Sequence, residues 1–131
     1  MKRLLAFSLF AALTCFAAAA LAADVPNLVG AWEGLHATHD AKAGYGDGKL
    51  VLTIVEQRGN AFHGTKTYGK VSKKSFTEGF SGTVSSAGQV LIADHDEGYM
   101  VGSITKTGEM ELQYAHKGRN AVASHILLKK K

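Results

Sequence analysis

The 131-residue chain holds one cysteine, one proline and one tryptophan, and each scarcity removes a class of protein. Cys15 lies within the apolar run from Leu4 to Ala20, which has basic Lys2 and Arg3 before it and the small-residue stretch Ala20-Leu21-Ala22-Ala23 after it. That order is the pattern of a cleaved export signal. The run approaches the ~20 residues that cross a bilayer, but its alanine-rich end and the lack of a basic stop-transfer flank favour cleavage. A signal peptide over residues 1–23 and a single domain over 24–131 are therefore expected, with a periplasmic or secreted location and no transmembrane span after cleavage. Processing removes the only thiol, so disulfides, thiolate metal sites and cysteine nucleophiles are excluded from the exported chain. Its stability must come from the core and the backbone hydrogen bonds alone.

A surplus of one charge is also missing. Fifteen Lys and Arg stand against 11 Asp and Glu, and loss of Lys2 and Arg3 leaves 13 against 11. Three of the remaining cations are the terminal Lys129-Lys130-Lys131, which read as a solvated end, so no nucleic-acid surface is expected. Gly-x-Ser-x-Gly, His-Glu-x-x-His and phosphate-cradling loops are absent, and no enzyme is expected. Nothing in the sequence names a cofactor.

What is present is β-structure. Beyond the signal no window has helical periodicity. Glycines recur at 59, 69, 79, 88, 98, 108 and 118, and the stretches between them are rich in Val, Ile, Thr, Phe and Tyr. Eight strands are expected, at about 30–38, 49–57, 61–69, 76–85, 89–95, 99–106, 109–116 and 121–129. Short connections make neighbours antiparallel, and a chain of this length favours closing the meander into an eight-stranded up-and-down barrel. The phrases Phe62-His63-Gly64-Thr65 and Phe80-Ser81-Gly82-Thr83 suggest a register in which each phenylalanine covers the other strand's glycine. That register sets Tyr68 opposite Phe76 and Lys66 opposite Glu78, a buried pair if this face points inward. A lipid-facing barrel is disfavoured, because Glu109, Glu111 and Gln113 share one face of the seventh strand.

The first strand opens Gly30-Ala31-Trp32-Glu33-Gly34, and this Gly-x-Trp phrase resembles the calycin superfamily of lipocalins, avidins and related barrels. The resemblance implies structural roles for Gly30 and Trp32, with Trp32 crossing the closed end of the barrel beneath a basic residue of the last strand, Lys129 or Lys130. Biotin is not implied, since avidins line their pocket with several tryptophans. The C-terminal helix and disulfide of typical lipocalins are missing too.

With Trp32 at the closed end, the tight turns at Arg58–Asn60, Ser86–Gly88 and Lys106–Gly108 fall beside it. The segments His39–Gly48, Lys70–Ser75, Asp96–Gly98 and Lys117–Asn120 gather at the other end. There the expected small-molecule site is built from His36, Tyr45, Tyr68, His95, Tyr99, Tyr114, His116 and Arg119. Asp40, Asp47, Asp94 and Asp96 map to the same end. Residues 41–48 are glycine-rich enough to form a lid or a plain polar connector. Two alternatives stay open: a protein-binding or inhibitor module that uses these loops, and a metal site of His36, His95 and His116.

Overall fold

Alternation of apolar and polar residues sends every second side chain of each strand to one face, and curling the sheet round that face buries it. The computed structural model describes residues 24–69 and 75–131, and the expected signal peptide lies outside them, as does most of the Lys70–Ser75 connection. Eight strands pair in chain order: β1 Gly30–Asp40, β2 Gly44–Arg58, β3 Ala61–Gly69, β4 Phe76–Val84, β5 Gln89–Asp94, β6 Tyr99–Ile104, β7 Met110–His116 and β8 Val122–Lys130. All pairs are antiparallel, and β8 closes on β1 through a ladder from Trp32↔Lys130 to Asp40↔Val122. The fold is an all-β, closed up-and-down barrel. Among the described residues no helix is long and apolar enough to cross a membrane.

The inner face divides into two halves. Towards the end where β1 begins, Trp32, Leu52, Ile54, Phe62, Phe80, Val84, Val90, Ile92, Met110, Leu112 and Leu128 form a continuous buried core. Residues 24–29 fold across this end. Leu28 is buried there, its amide donates to Gln57 Oε1 at 2.8 Å, and its carbonyl accepts the Trp32 indole N–H at 2.8 Å. Lys130 Nζ lies 5.6 Å from the Trp32 ring centroid and donates to the Asn27 carbonyl, so of the two lysines it is Lys130 that covers the tryptophan. The sequence contained no sign of this N-terminal plug, because six residues without a period look like a linker.

The β3/β4 register is the expected one: Phe62↔Gly82, Gly64↔Phe80, Lys66↔Glu78 and Tyr68↔Phe76. The rings of Phe62 and Phe80 meet edge to face at 6.2 Å, a favoured aromatic geometry. The inward glycine has a second purpose, since a Cβ on Gly64 would fall on the carbonyl of Thr53 in β2. Glycine lets the two backbones close up at this point. Gly64→Ala is therefore expected to cost about 1–3 kcal/mol, the usual penalty of overpacking. Gly46→Ala, in open space on β2, is expected to leave stability unchanged or slightly raised. Urea unfolding of both variants tests the contrast, and equal losses would remove the steric account.

The bottom turns repeat one device. Ser85–Gln89 and Thr105–Glu109 each place a positive-φ glycine at the fourth position, and in each the hydroxyl of the first residue accepts the amide of the fifth. Only glycine takes that backbone conformation without strain.

Two strand ends differ from expectation. β1 and β2 pair out to Asp40↔Gly44, so the segment from His39 to Gly48 is the tip of a hairpin with a three-residue turn, and a long lid does not form. Asp40 Oδ1 accepts the amides of Lys42 and Ala43 at 2.7 and 2.8 Å, a local turn that replaces the loop. β2 also carries a bulge between Ile54 and Glu56, which leaves Val55 and Glu56 both exposed and shifts the alternation of that strand by one residue.

Candidate functional site

The open half of the barrel is hollow because of what β2 leaves out. Its inward stripe reads Gly44, Gly46, Gly48, then Leu50, Leu52 and Ile54, so the first three positions contribute no side chains. Opposite them on β1 stand the inward polar residues Asp40, Thr38 and His36, in the pairs Asp40↔Gly44, Thr38↔Gly46 and His36↔Gly48. A polar stripe thus faces an empty one. His36 uses the room directly, since a Cβ on Gly48 would come within 2.7 Å of its Nε2.

Two adjoining hollows lie at this end, of about 310 Å3 and about 280 Å3; they share His36, Thr38, Asp40 and Tyr68 in their walls, and Gly44 and Gly46 border the smaller. The first descends into the barrel over Leu50, Met100 and Ile126, with Tyr114, His116 and Ser124 on the far side. The second opens sideways under the β1/β2 hairpin towards Phe76. Their sizes lie near the lower end of known small-molecule pockets, roughly 300–1,000 Å3.

The chemistry of the deeper hollow centres on Lys66. Its side chain is 6% exposed, and its Nζ stands 2.6 Å from Glu78 Oε1 and 2.6 Å from Asp94 Oδ2. The Asp94 side chain is fully buried and its Oδ1 has no partner. Burial raises the Asp94 carboxyl above its ordinary value, against the opposing pull of Lys66. The Lys66 ammonium also lies 5.0 Å from the Tyr68 ring centroid and 4.8 Å from that of Tyr114, within reach of cation–π attraction. Burial, helped by the charges of Asp94 and Glu78, pushes the Tyr114 phenol up to about 12.

On the opposite wall His36 Nδ1 bonds Thr38 Oγ1 at 2.8 Å, and Thr38 Oγ1 bonds Ser124 Oγ at 2.6 Å. Burial lowers the His36 pKa below its ordinary value, so the ring is neutral at neutral pH. At the rim the Tyr114 hydroxyl donates to the Glu97 carbonyl, and the Glu97 carboxylate approaches His116 Nε2 at 3.4 Å.

Of the eight residues expected at the site, the barrel brings four together: His36, Tyr68, Tyr114 and His116. Tyr45 borders the sideways hollow, but it is 90% exposed and meets the His39 ring edge to face on the outer surface. His95 lies outside the barrel over Gly79, with its Nε2 3.2 Å from Ser81 Oγ. Tyr99 points outward because its neighbour Met100 points in, and Arg119 is exposed on the β7/β8 turn. The trio His36, His95 and His116 is consequently not assembled. Among the described residues no group of three or more His, Cys, Asp or Glu side chains stands close enough to hold a metal ion.

The pairing of Lys66 with Glu78 is legible in the sequence, and Asp94 is a second partner that the β3/β4 register alone does not reveal. The signal was there: Val90 and Ile92 are inward, and the same alternation carries Asp94 inward and His95 out. Neither the protein-family models nor the curated proteins include a match to this chain.

Proposed function

We propose that this chain is an exported, calycin-like carrier or sensor barrel that holds a small organic molecule in the hollow at its open end. The observation that carries the reading is the pair of adjoining hollows at the open end, one of them walled by Gly44 and Gly46, while the closed half of the interior is packed. Natural interiors are filled to near crystal density, and a hollow lined by aromatic rings with a few aimed polar groups is the usual form of a ligand site. The calycin part of the reading is supported by the Gly30-x-Trp32 phrase together with Lys130 over the Trp32 ring. The export part is supported by the N-terminal sequence pattern.

Gly46→Trp tests the site. A Cβ at position 46 meets nothing within 4 Å, so the indole has room to enter the hollow from a strand that stays paired. The thermal midpoint is expected within about 4 °C of wild type, while fragments that perturb the Tyr68 and Tyr114 resonances of the wild-type protein no longer do so. Retained fragment binding in a well-folded Gly46→Trp variant would sink the assignment.

A further inference from the structure

The class of ligand follows from how the charges round Lys66 are spent, an argument that rests on the cavity reading above. The Lys66 and Asp94 side chains are buried together, 6% and 0% exposed. An ammonium has three protons to donate; one is directed at Glu78 and one at Asp94. The third has no acceptor among the described residues, and Lys66 forms part of the cavity wall between Tyr68 and Tyr114. Glu78 and Asp94 do not reach that wall. The cavity therefore meets an N–H donor whose positive charge is already balanced from behind by two carboxylates.

We infer that the cavity selects an uncharged aromatic carbonyl compound of one or two fused rings, whose ring lies against Tyr68 and Tyr114 and whose oxygen accepts the third Lys66 proton. An anion gains little, because one ammonium against two carboxylates leaves no positive surplus to attract it. A cation meets the ammonium itself, which stands in the cavity wall. Burial favours a proton on Asp94, which moves the cluster between one negative charge and neutrality and never to a positive charge. Of the remaining walls, Leu50, Met100 and Ile126 form an apolar floor, the facing His36 ring is neutral, and the Asp40 carboxylate is engaged by the amides of Lys42 and Ala43 in its own turn.

Three bicyclic probes of similar size separate the possibilities: coumarin, which is uncharged with a lactone carbonyl, 2-naphthoate, an anion, and 2-naphthylmethylammonium, a cation. Titration of the purified protein, followed by the Tyr68 and Tyr114 resonances, is expected to give coumarin at least about a tenfold lower Kd than either charged probe. Lys66→Met should raise the coumarin Kd by about tenfold or more, the worth of one hydrogen bond from a charged donor. Should that variant fold poorly, the triple replacement Lys66→Met, Glu78→Gln, Asp94→Asn removes the donor without stranding its partners, and the same loss is expected. Tighter binding of either charged probe, or coumarin affinity unchanged in the triple variant, overturns the inference. If none of the three binds while other fragments shift the cavity resonances, the ligand class falls and the cavity reading stands. If no fragment of a diverse library shifts them, both fall.

Discussion

Lys66→Met is expected to destabilise the barrel by about 3–5 kcal/mol near neutral pH, the range found when one partner of a buried ion pair is removed. The methionine fills nearly the same volume, so a cavity contributes little. What the variant loses is compensation: the fully buried Asp94 side chain and the nearly buried Glu78 lose the ammonium that stands 2.6 Å from each. Unlike an exposed pair, which contributes little, these groups have no solvent to turn to. Reversal of most of the loss by adding Glu78→Gln and Asp94→Asn would locate the cost in the stranded charges. A single-variant loss under about 1 kcal/mol in urea unfolding would show that the cluster is wet and the pair dispensable.

The pH dependence of that loss has a definite sign. Burial raises the folded-state pKa of Asp94 above 3.8, so its contribution to stability is complete below that value and disappears as pH rises through the folded pKa. Lys66 opposes the rise through its hydrogen bond and charge. Removing it lifts the folded pKa further, and the variant gains more than wild type on acidification. The difference between the two proteins should therefore narrow from about pH 7 to about pH 4.

The parts of this molecule that could be read from its sequence are those in which one local rule acts alone. Phe62 and Phe80 each carry a glycine two positions later, and that complementarity was enough to set the β3/β4 register to the residue. The glycines at turns marked the bottom hairpins, since a positive φ there excludes most other residues. At the open end two rules competed. Gly44, Gly46 and Gly48 resemble a loop by composition, yet they share the parity of Leu50, Leu52 and Ile54, and pairing with β1 made them strand. His95 and Tyr99 were expected at the site because their loop lies at the mouth; side-chain parity, set by Ile92 and Met100, turns both outward. Residues 24–29 could not be foreseen as a plug, because Leu28 finds its partners only once Trp32 and Gln57 have been brought to the closed end.

Phe80→Ala should cost about as much as the loss of Lys66, about 3–5 kcal/mol, by a different route and with the opposite dependence on pH. Phe80 is fully buried, covers Gly64 across the β3/β4 ladder and pairs with Asp94 across β4/β5. Its ring thus shares the inner face with the carboxyl whose pKa burial raises. Truncation leaves a space next to polar groups, and a void of that kind takes up water. With the desolvation relieved, the folded pKa of Asp94 moves back towards its ordinary value, and the variant gains less stability than wild type on acidification. The deficit should therefore widen from about pH 7 to about pH 4, where that of Lys66→Met narrows. Phe76→Ala is the control: its ring is more than half exposed and stacks on Tyr68, so a loss under about 1 kcal/mol is expected. Urea unfolding at the two pH values distinguishes the cases. A Phe80→Ala deficit that does not change with pH would mean that the new space stays dry, and that the state of Asp94 is governed by Lys66 and Glu78 without the aromatic floor beneath them.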